Sequence, residues 1–164
     1  MGTMTRQAAD VGTSPARPDW RERLRSAGLR VTQPRLAVLE TVRENSHLAA
    51  DQVSDRVRER IGTVSTQAVY DALNTLTEHQ ILRKIEPAGS AMLFEVNLGD
   101  NHHHIVCRQC GAVADVDCAT GSMPCAVPAQ THGFIVEEAE VTYWGLCHDC
   151  AEDLGRRSVG GGRA

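Results

Sequence analysis

Cys107-Arg-Gln-Cys110 and Cys147-His-Asp-Cys150 form two C-x-x-C pairs separated by 36 residues. A tight turn brings residues i and i+3 together, so each pair can offer two thiolates to one ion. Two pairs complete a tetrahedral shell for Zn²⁺ with Zn–S near ~2.3 Å. Gly111 after the first pair fits a knuckle-like turn. The interval is longer than in a simple zinc ribbon, so a small sheet must intervene. Disulfides are the competing reading, but the first thirty residues show no apolar core before a small-residue cleavage site, which speaks against secretion. A thioredoxin-like redox motif would need a βαβ pattern, and neither pair has one. The expectation is a closed structural zinc that holds the fold and does no chemistry.

The run His102-His103-His104 stands just before Cys107. On a strand, alternate residues share a face, so His102 and His104 can bind one ion while His103 points away. Glu95 on the preceding hairpin and Asp115 on the next strand could add oxygen ligands, and His47 is expected at the start of a helix in the first half. Imidazole with carboxylate suits Fe²⁺, Mn²⁺ or Zn²⁺ without thiolates. A site drawing His47 from one half and its other ligands from the second would clamp the two together. The bland alternative is a solvated strand edge or an adventitious nickel binder. His79, His132 and His148 read as surface or helix-end residues.

The elements that must position these groups follow from pattern and charge. The 164 residues carry a net charge of −4, which hides an asymmetry. Residues 1–88 hold 13 Lys+Arg against 11 Asp+Glu, whereas residues 89–164 hold 4 against 10. Six arginines and two acids lie within Arg17–Arg35, while all six Cys lie beyond residue 100. Two modules of different character are implied. No run approaches 18 apolar residues, so no transmembrane helix is expected and the chain is placed in the cytoplasm.

The first half is helical by periodicity. Trp20, Leu24 and Ala27 share a face, with Gly28 following. Thr32 can cap a helix to about Glu44, with Leu36, Leu39 and Val42 inward. Ala49, Val53 and Val57 mark a third helix ending at Gly62, and Ser65 caps a fourth to about Glu78. Ile81–Glu86 and Ala91–Val96 read as a hairpin. Helices followed by a hairpin give the order of a winged helix-turn-helix. Beyond it, His102–Val106, Ala112–Asp117 and a long Phe134–Trp144 are β-prone. The predicted class is α+β. It comprises a leader over 1–18, a winged-helix DNA-binding domain over 19–96 with a hinge about 95–101, a small α/β dimerisation and metal-binding domain over 102–154, and a disordered tail over 155–164.

Three segments then carry a resemblance: Leu29-Arg30-Val31-Thr32-Gln33-Pro34-Arg35, Ser65-Thr66-Gln67-Ala68-Val69-Tyr70-Asp71-Ala72-Leu73, and Asn101-His102-His103-His104-Ile105-Val106-Cys107-Arg108-Gln109-Cys110-Gly111. With Tyr143-Trp144-Gly145-Leu146-Cys147-x-x-Cys150, they resemble the ferric uptake regulator (Fur) superfamily over about Trp20 to Cys150. The chain looks most similar to the peroxide-sensing, PerR-like branch, and within it to the actinobacterial FurA/CatR type that represses catalase genes.

The resemblance implies a homodimer that binds an inverted-repeat operator in double-stranded DNA. It implies structural zinc on Cys107, Cys110, Cys147 and Cys150, and regulatory Fe²⁺ or Mn²⁺ on His47, Glu95, His102, His104 and Asp115. His47 or His102 would gain oxygen from peroxide, which would release DNA. The peroxide branch typically has Asp at position 115, where the iron-uptake branch has Glu. One residue more than in peroxide sensors separates Glu95 from the His run. A further metal site of many iron-uptake members would fall on Asn101, His103, Ser122 and Ala139, and these residues are poor ligands apart from the histidine.

The helix led by Ser65 would enter the major groove, with Thr66, Gln67 and Tyr70 at base edges. Arg83 and Lys84 would meet the DNA backbone. Arg23, Arg25, Arg30 and Arg35 would contact phosphates or solvate helix faces. Cys118 and Cys125 lie outside the family pattern, as buried thiols or as a redox pair. Alternative functions are an iron- or zinc-uptake repressor responding to metal level, or a thiol-based redox repressor using Cys118 and Cys125. No H-E-x-x-H or H-x-E…P-C-x-x-C signature is present, so neither an enzyme nor a small organic substrate is expected.

Overall fold

A computed structural model describes residues 18–87, 89–100, 102–118, 126–136 and 139–160, with the backbone alone for 155 and 157–160. The expected leader apart from Pro18, together with Asn101, Ser122, Cys125 and residues 161–164, lies outside the described residues.

Helix α1 spans Trp20–Ser26. Its first turn is capped by Asp19, whose carboxylate accepts from the Arg21 and Glu22 N–H groups at 3.0 and 3.1 Å. The helix ends where Gly28 takes φ +71° and Leu29 N–H reaches the Leu24 carbonyl at 2.8 Å, a conformation that suits a residue without Cβ. Helix α2 (Gln33–Glu44) starts at Thr32 with Pro34 in its first turn, although the Thr32 hydroxyl makes no cap bond. It buries Ala37, Val38, Leu39, Thr41 and Val42, while Leu36 stays half-buried.

A two-residue strand, β1 (Leu48–Ala49), then precedes α3 (Ala50–Ile61) and α4 (Thr66–Glu78). Ser65 caps α4 by accepting from Ala68 N–H at 3.1 Å, and Val69, Ala72, Leu73 and Leu76 form its buried stripe. Strands β2 (Leu82–Ile85) and β3 (Leu93–Val96) complete an antiparallel sheet in the order β1-β3-β2. Three helices backed by this small sheet make the expected winged helix-turn-helix.

The second sheet has the order β5-β4-β6, from β4 (His102–Cys107), β5 (Val113–Asp117) and β6 (Thr142–Gly145). Strand β5 runs antiparallel to β4, whereas β6 runs parallel to it. Helix α5 (His148–Gly160) closes the described chain. The class is therefore α+β, as expected.

Three local expectations are corrected. Strand β1 is present where only a helix start was expected, because Leu48 and Ala49 find Phe94 and Leu93 as cross-strand partners. The long Phe134–Trp144 strand shrinks to Thr142–Gly145; Phe134 instead donates its N–H to the Thr131 carbonyl at 2.9 Å in a turn. The segment from Gly155 is helical to Gly160 rather than a disordered tail. Glu152 supports that helix through i, i±4 contacts, with His148 at 3.0 Å and Arg156 at 2.6 Å.

The continuous apolar core runs from Trp20 to Val96 and is centred on Leu24, Leu39, Val53, Val57, Leu73 and Leu76. Beyond residue 100, the buried apolar residues among those described are Val106, Cys107 and Cys150. The first half is thus held by packing, while the second has little core of its own.

The two helix starts differ in a measurable way. Ser65→Ala should lower stability by about 1 kcal/mol, because a capping oxygen is lost, whereas Thr32→Ala should change it by less than about 0.5 kcal/mol. Urea unfolding of both variants checks this, and equal losses would contradict the assignment of the caps.

Candidate metal centres

The four cysteines come together at one end of the second sheet. Cys107 ends β4, and a turn through Arg108–Cys110 follows, closed by Gly111 N–H on the Cys107 carbonyl at 2.9 Å with Gly111 at φ +76°. The parallel pairing of β6 places Gly145 opposite Cys107, so Cys147 emerges two residues beyond the same edge. Cys150 lies in the first turn of α5, where Ala151 N–H meets the Cys147 carbonyl at 2.9 Å. Arg108 stacks over the Trp144 ring at 5.1 Å and covers this corner.

All four sulfur atoms lie within 4.8 Å of one another, and Cys110 Sγ is 3.7 Å from Cys147 Sγ. A disulfide would need about 2.05 Å, whereas the edge of a tetrahedron with ~2.3 Å metal–sulfur bonds is about 3.8 Å. Hydrogen bonding from the backbone at Cys110 and Cys147 lowers the Cys107 thiol to about 6. The neighbouring Cys147 sulfur and burial push Cys150 far upward. Four thiols this close cannot all ionise without a cation between them. The donor set fits one tetrahedral thiophilic ion.

The second cluster lies where the two halves meet. His47 is not at the start of α3. It sits in the bend before β1 at φ +63°, with its N–H on the Phe94 carbonyl at 3.0 Å. That bond and the β1–β3 pairing carry its ring to Glu95 on β3. His104 reaches the same carboxylate from β4, and cross-strand register sets Asp115 opposite His104.

His47 Nε2 and His104 Nε2 lie 3.1 and 3.0 Å from Glu95 Oε2, and His47 Nε2 lies 2.9 Å from Asp115 Oδ1. Ligand atoms of His47, Glu95, His104 and Asp115 all fall within 4.8 Å of one another. His102 flanks this set, its Nε2 at 3.4 Å from Glu95 Oε1 and 3.8 Å from Asp115 Oδ1. His103 turns to the other face, where it is buried against Tyr143 with ring centroids 6.3 Å apart.

Burial works to raise the Glu95 carboxyl, but contacts with His104, His47 and the Arg83 guanidinium outweigh it and hold the group far below the ordinary carboxylate range. Burial likewise works to lower His47, and Glu95 with Asp115 reverses this into a net rise. Nitrogen and oxygen donors without sulfur fit Fe²⁺, Mn²⁺ or Zn²⁺. A cleft of about 410 Å³ opens onto Glu95, His102 and Asp115 from the solvent side.

The residues expected at DNA are placed as follows. Ser65 caps α4. Thr66 Oγ1 accepts from Arg58 at 2.8 Å, and Gln67 donates to Asp71 at 2.7 Å. Tyr70 is exposed, and Lys84 is exposed beside the Phe94 ring. Arg30 is exposed, while Arg35 donates to the Arg30 carbonyl at 2.8 Å. Two arginines depart from expectation. Arg23 gives its guanidinium to the Asn97 carbonyl, and Arg83 turns onto Glu95 and His102. Asp100, which lies 3.2 Å from His102 Nδ1, was missed. A carboxylate two residues from an imidazole was the available signal. Cys118 lies just beyond β5, and Cys125 falls outside the described residues, so their pairing is not described.

Comparison with known proteins shows which family the chain belongs to. The model of the Ferric uptake regulator family matches residues 26–144. The chain is similar to the transcriptional regulator FurA of Mycobacterium tuberculosis, with 53% identity over 134 residues covering 82% of this chain and 91% of that protein. Similarity to the peroxide-responsive repressor PerR of Staphylococcus epidermidis is 25% over 131 residues, covering 79% and 87%. Among solved structures, the Helicobacter pylori ferric uptake regulator Fur, described with three functional metal-binding sites, aligns with a TM-score of 0.61 at 20% identity. That alignment covers 80% of this chain and 88% of the other, and supports the fold alone. On the extent of the family match and of the identity to FurA, this chain belongs to the Ferric uptake regulator family.

Proposed function

We propose that this chain is a repressor that senses hydrogen peroxide through histidine oxidation at a regulatory Fe²⁺ site and controls catalase and other oxidative-stress genes. As a member of its family it is a metal-dependent transcriptional regulator rather than an enzyme. No described helix is long and apolar enough to cross a membrane, and we place its action on operator DNA in the cytoplasm.

The observation that carries the peroxide reading is the nitrogen and oxygen cluster with His102 and Asp115 at the mouth of an open cleft. A small oxidant can reach such a site from solvent. Bound Fe²⁺ would supply the reducing equivalent for peroxide. His47, Glu95, His102, His104 and Asp115 would hold the ion, and His47 and His102 are the rings proposed to take up oxygen. A ring that gains oxygen on the carbon between its two nitrogens would become a poor metal donor. Because His47 belongs to the first half and His104 and Asp115 to the second, that change would loosen the joint between reader and sensor.

Zinc is proposed on Cys107, Cys110, Cys147 and Cys150 as the staple of the second half. Phe134 at 77% exposure and Ile135 at 89% leave an apolar surface that favours a homodimer binding an inverted repeat. On DNA, α4 would present Ser65, Thr66, Gln67 and Tyr70 to the major groove, with Arg30, Arg35 and Lys84 on phosphates. A second reading, a repressor responding to iron level, is favoured by the FurA and ferric uptake names of similar proteins.

Anaerobic operator binding separates the two. Micromolar peroxide should release the Fe²⁺ form and spare the Mn²⁺ form, with 16 Da added to a peptide carrying His47 or His102. Equal behaviour of both metal forms would sink the peroxide reading, and release with a Cys118–Cys125 disulfide would move sensing to the thiols.

Cys150→Ser should remove one zinc equivalent per subunit, read by native mass spectrometry, and should abolish stable folding of the second half; unchanged zinc content would refute the site. Arg30→Ala and Arg35→Ala should each reduce the slope of log K against log salt by about one. A slope equal to that of the unaltered protein would remove either residue from the interface.

A further inference from the structure

Arg83, expected at the DNA backbone, turns instead to the second cluster. It stands directly opposite Glu95 in the β2–β3 pairing, and its Nε–H donates to Glu95 Oε1. Its Nη2 lies 2.8 Å from His102 Nε2. The same Nη2 lies 3.4 Å from His102 Nδ1, so the guanidinium reaches over the imidazole ring as well as towards Nε2. On its other side, His102 Nδ1 lies 3.2 Å from Asp100 Oδ2. A carboxylate behind Nδ1 is the arrangement that leaves Nε2 to meet a metal.

A cation that the chain itself supplies thus stands against His102. Glu95 is shared between two sets of partners. Oε2 faces His47 and His104, whereas Oε1 is taken by Arg83. His102 is also the ring left outside the tight set of His47, Glu95, His104 and Asp115. Arg83 therefore touches both that set, at Glu95, and the fifth ligand, which itself lies 3.4 Å from Glu95 Oε1.

We propose that Arg83 is an internal competitor for the regulatory cation: its guanidinium holds Glu95 Oε1 and His102 Nε2 in the metal-free protein and must leave both when a divalent ion takes them. Metal loading then frees a cationic side chain on β2, a strand of the wing, where it can meet a phosphate. The inference rests on the reading of this cluster as the regulatory site. It makes Arg83 a positioning residue that sets the cost of recruiting His102, rather than a fixed support for Glu95. A fixed support and a competitor predict opposite signs when the side chain is removed.

Mn²⁺ titration of the zinc-replete full chain, followed by the electron paramagnetic resonance signal of free Mn²⁺, tests the sign. Arg83→Gln should bind Mn²⁺ about tenfold more tightly than the unaltered protein, and Arg83→Lys should fall between them. In a His102→Ala background the gain from Arg83→Gln should be smaller, because only Glu95 Oε1 remains contested. Weaker or unchanged binding by Arg83→Gln, or the same gain without His102, overturns the competitor role. If the unaltered protein and His104→Ala titrate alike, the regulatory-site reading fails together with the inference, whereas normal binding by the unaltered protein with no gain in Arg83→Gln defeats the inference alone. As an independent readout on the same samples, the Arg83 Nε–H resonance should be protected without metal and lose that protection when diamagnetic Zn²⁺ fills the second site. Protection that persists in the loaded protein would also overturn it.

Discussion

One buried carboxylate governs the joint between the two halves. Glu95 is 3% exposed and sits in the middle strand of the first sheet. An ionised carboxylate in that position is tolerable only if its oxygen atoms are fully engaged. His47 arrives from the bend after α2, Arg83 from the neighbouring strand, and His102 and His104 from the second sheet. The need to satisfy Glu95 therefore draws three separate segments to one point. A divalent ion would answer the same need with greater charge, and this is the physical basis of the proposed link between metal binding and the relation of the halves.

The two halves are stabilised by different physics. The first buries a continuous set of Leu and Val residues under α1 to α4 and the first sheet. The second buries few apolar residues, carries the larger excess of acid, and leaves Phe134, Ile135 and Tyr143 exposed. Its order comes from strand pairing and from four sulfur atoms gathered at one corner, and the exposed apolar residues are the surface proposed for a second subunit. An acidic module is also a reasonable host for cations, since excess negative charge lowers the cost of bringing them in.

Periodicity was informative wherever a side chain's environment depends on near neighbours. The stripe Val69, Ala72, Leu73, Leu76 and the Ser65 cap are local facts, and α4 follows them. The two C-x-x-C spacings are equally local, and the sulfur atoms do converge. Strand β1 was not legible, because two residues are a strand only by virtue of Phe94 and Leu93 beside them. Four glycines near the end concealed the last turns of α5, whose first turn closes with Ala151 N–H on the Cys147 carbonyl. Phe134 and Ile135 looked like strand residues because they are apolar, yet in a single chain they lie exposed and outside any strand.

By itself, the sequence determined which donor types exist and which of them share a turn or a strand face. That established the four-thiol set, the alternation of His102 and His104 about His103, and the chemistry of ion each set prefers. Tertiary structure alone decided that His47 and Glu95 meet, that Asp100 backs His102, and that Arg83 turns inward onto both Glu95 and His102. The physical reason is one of range. Spacing along a chain controls groups within a turn or a strand, whereas the partner of a buried charge is chosen by strand register and by the requirement that no buried charge be left alone.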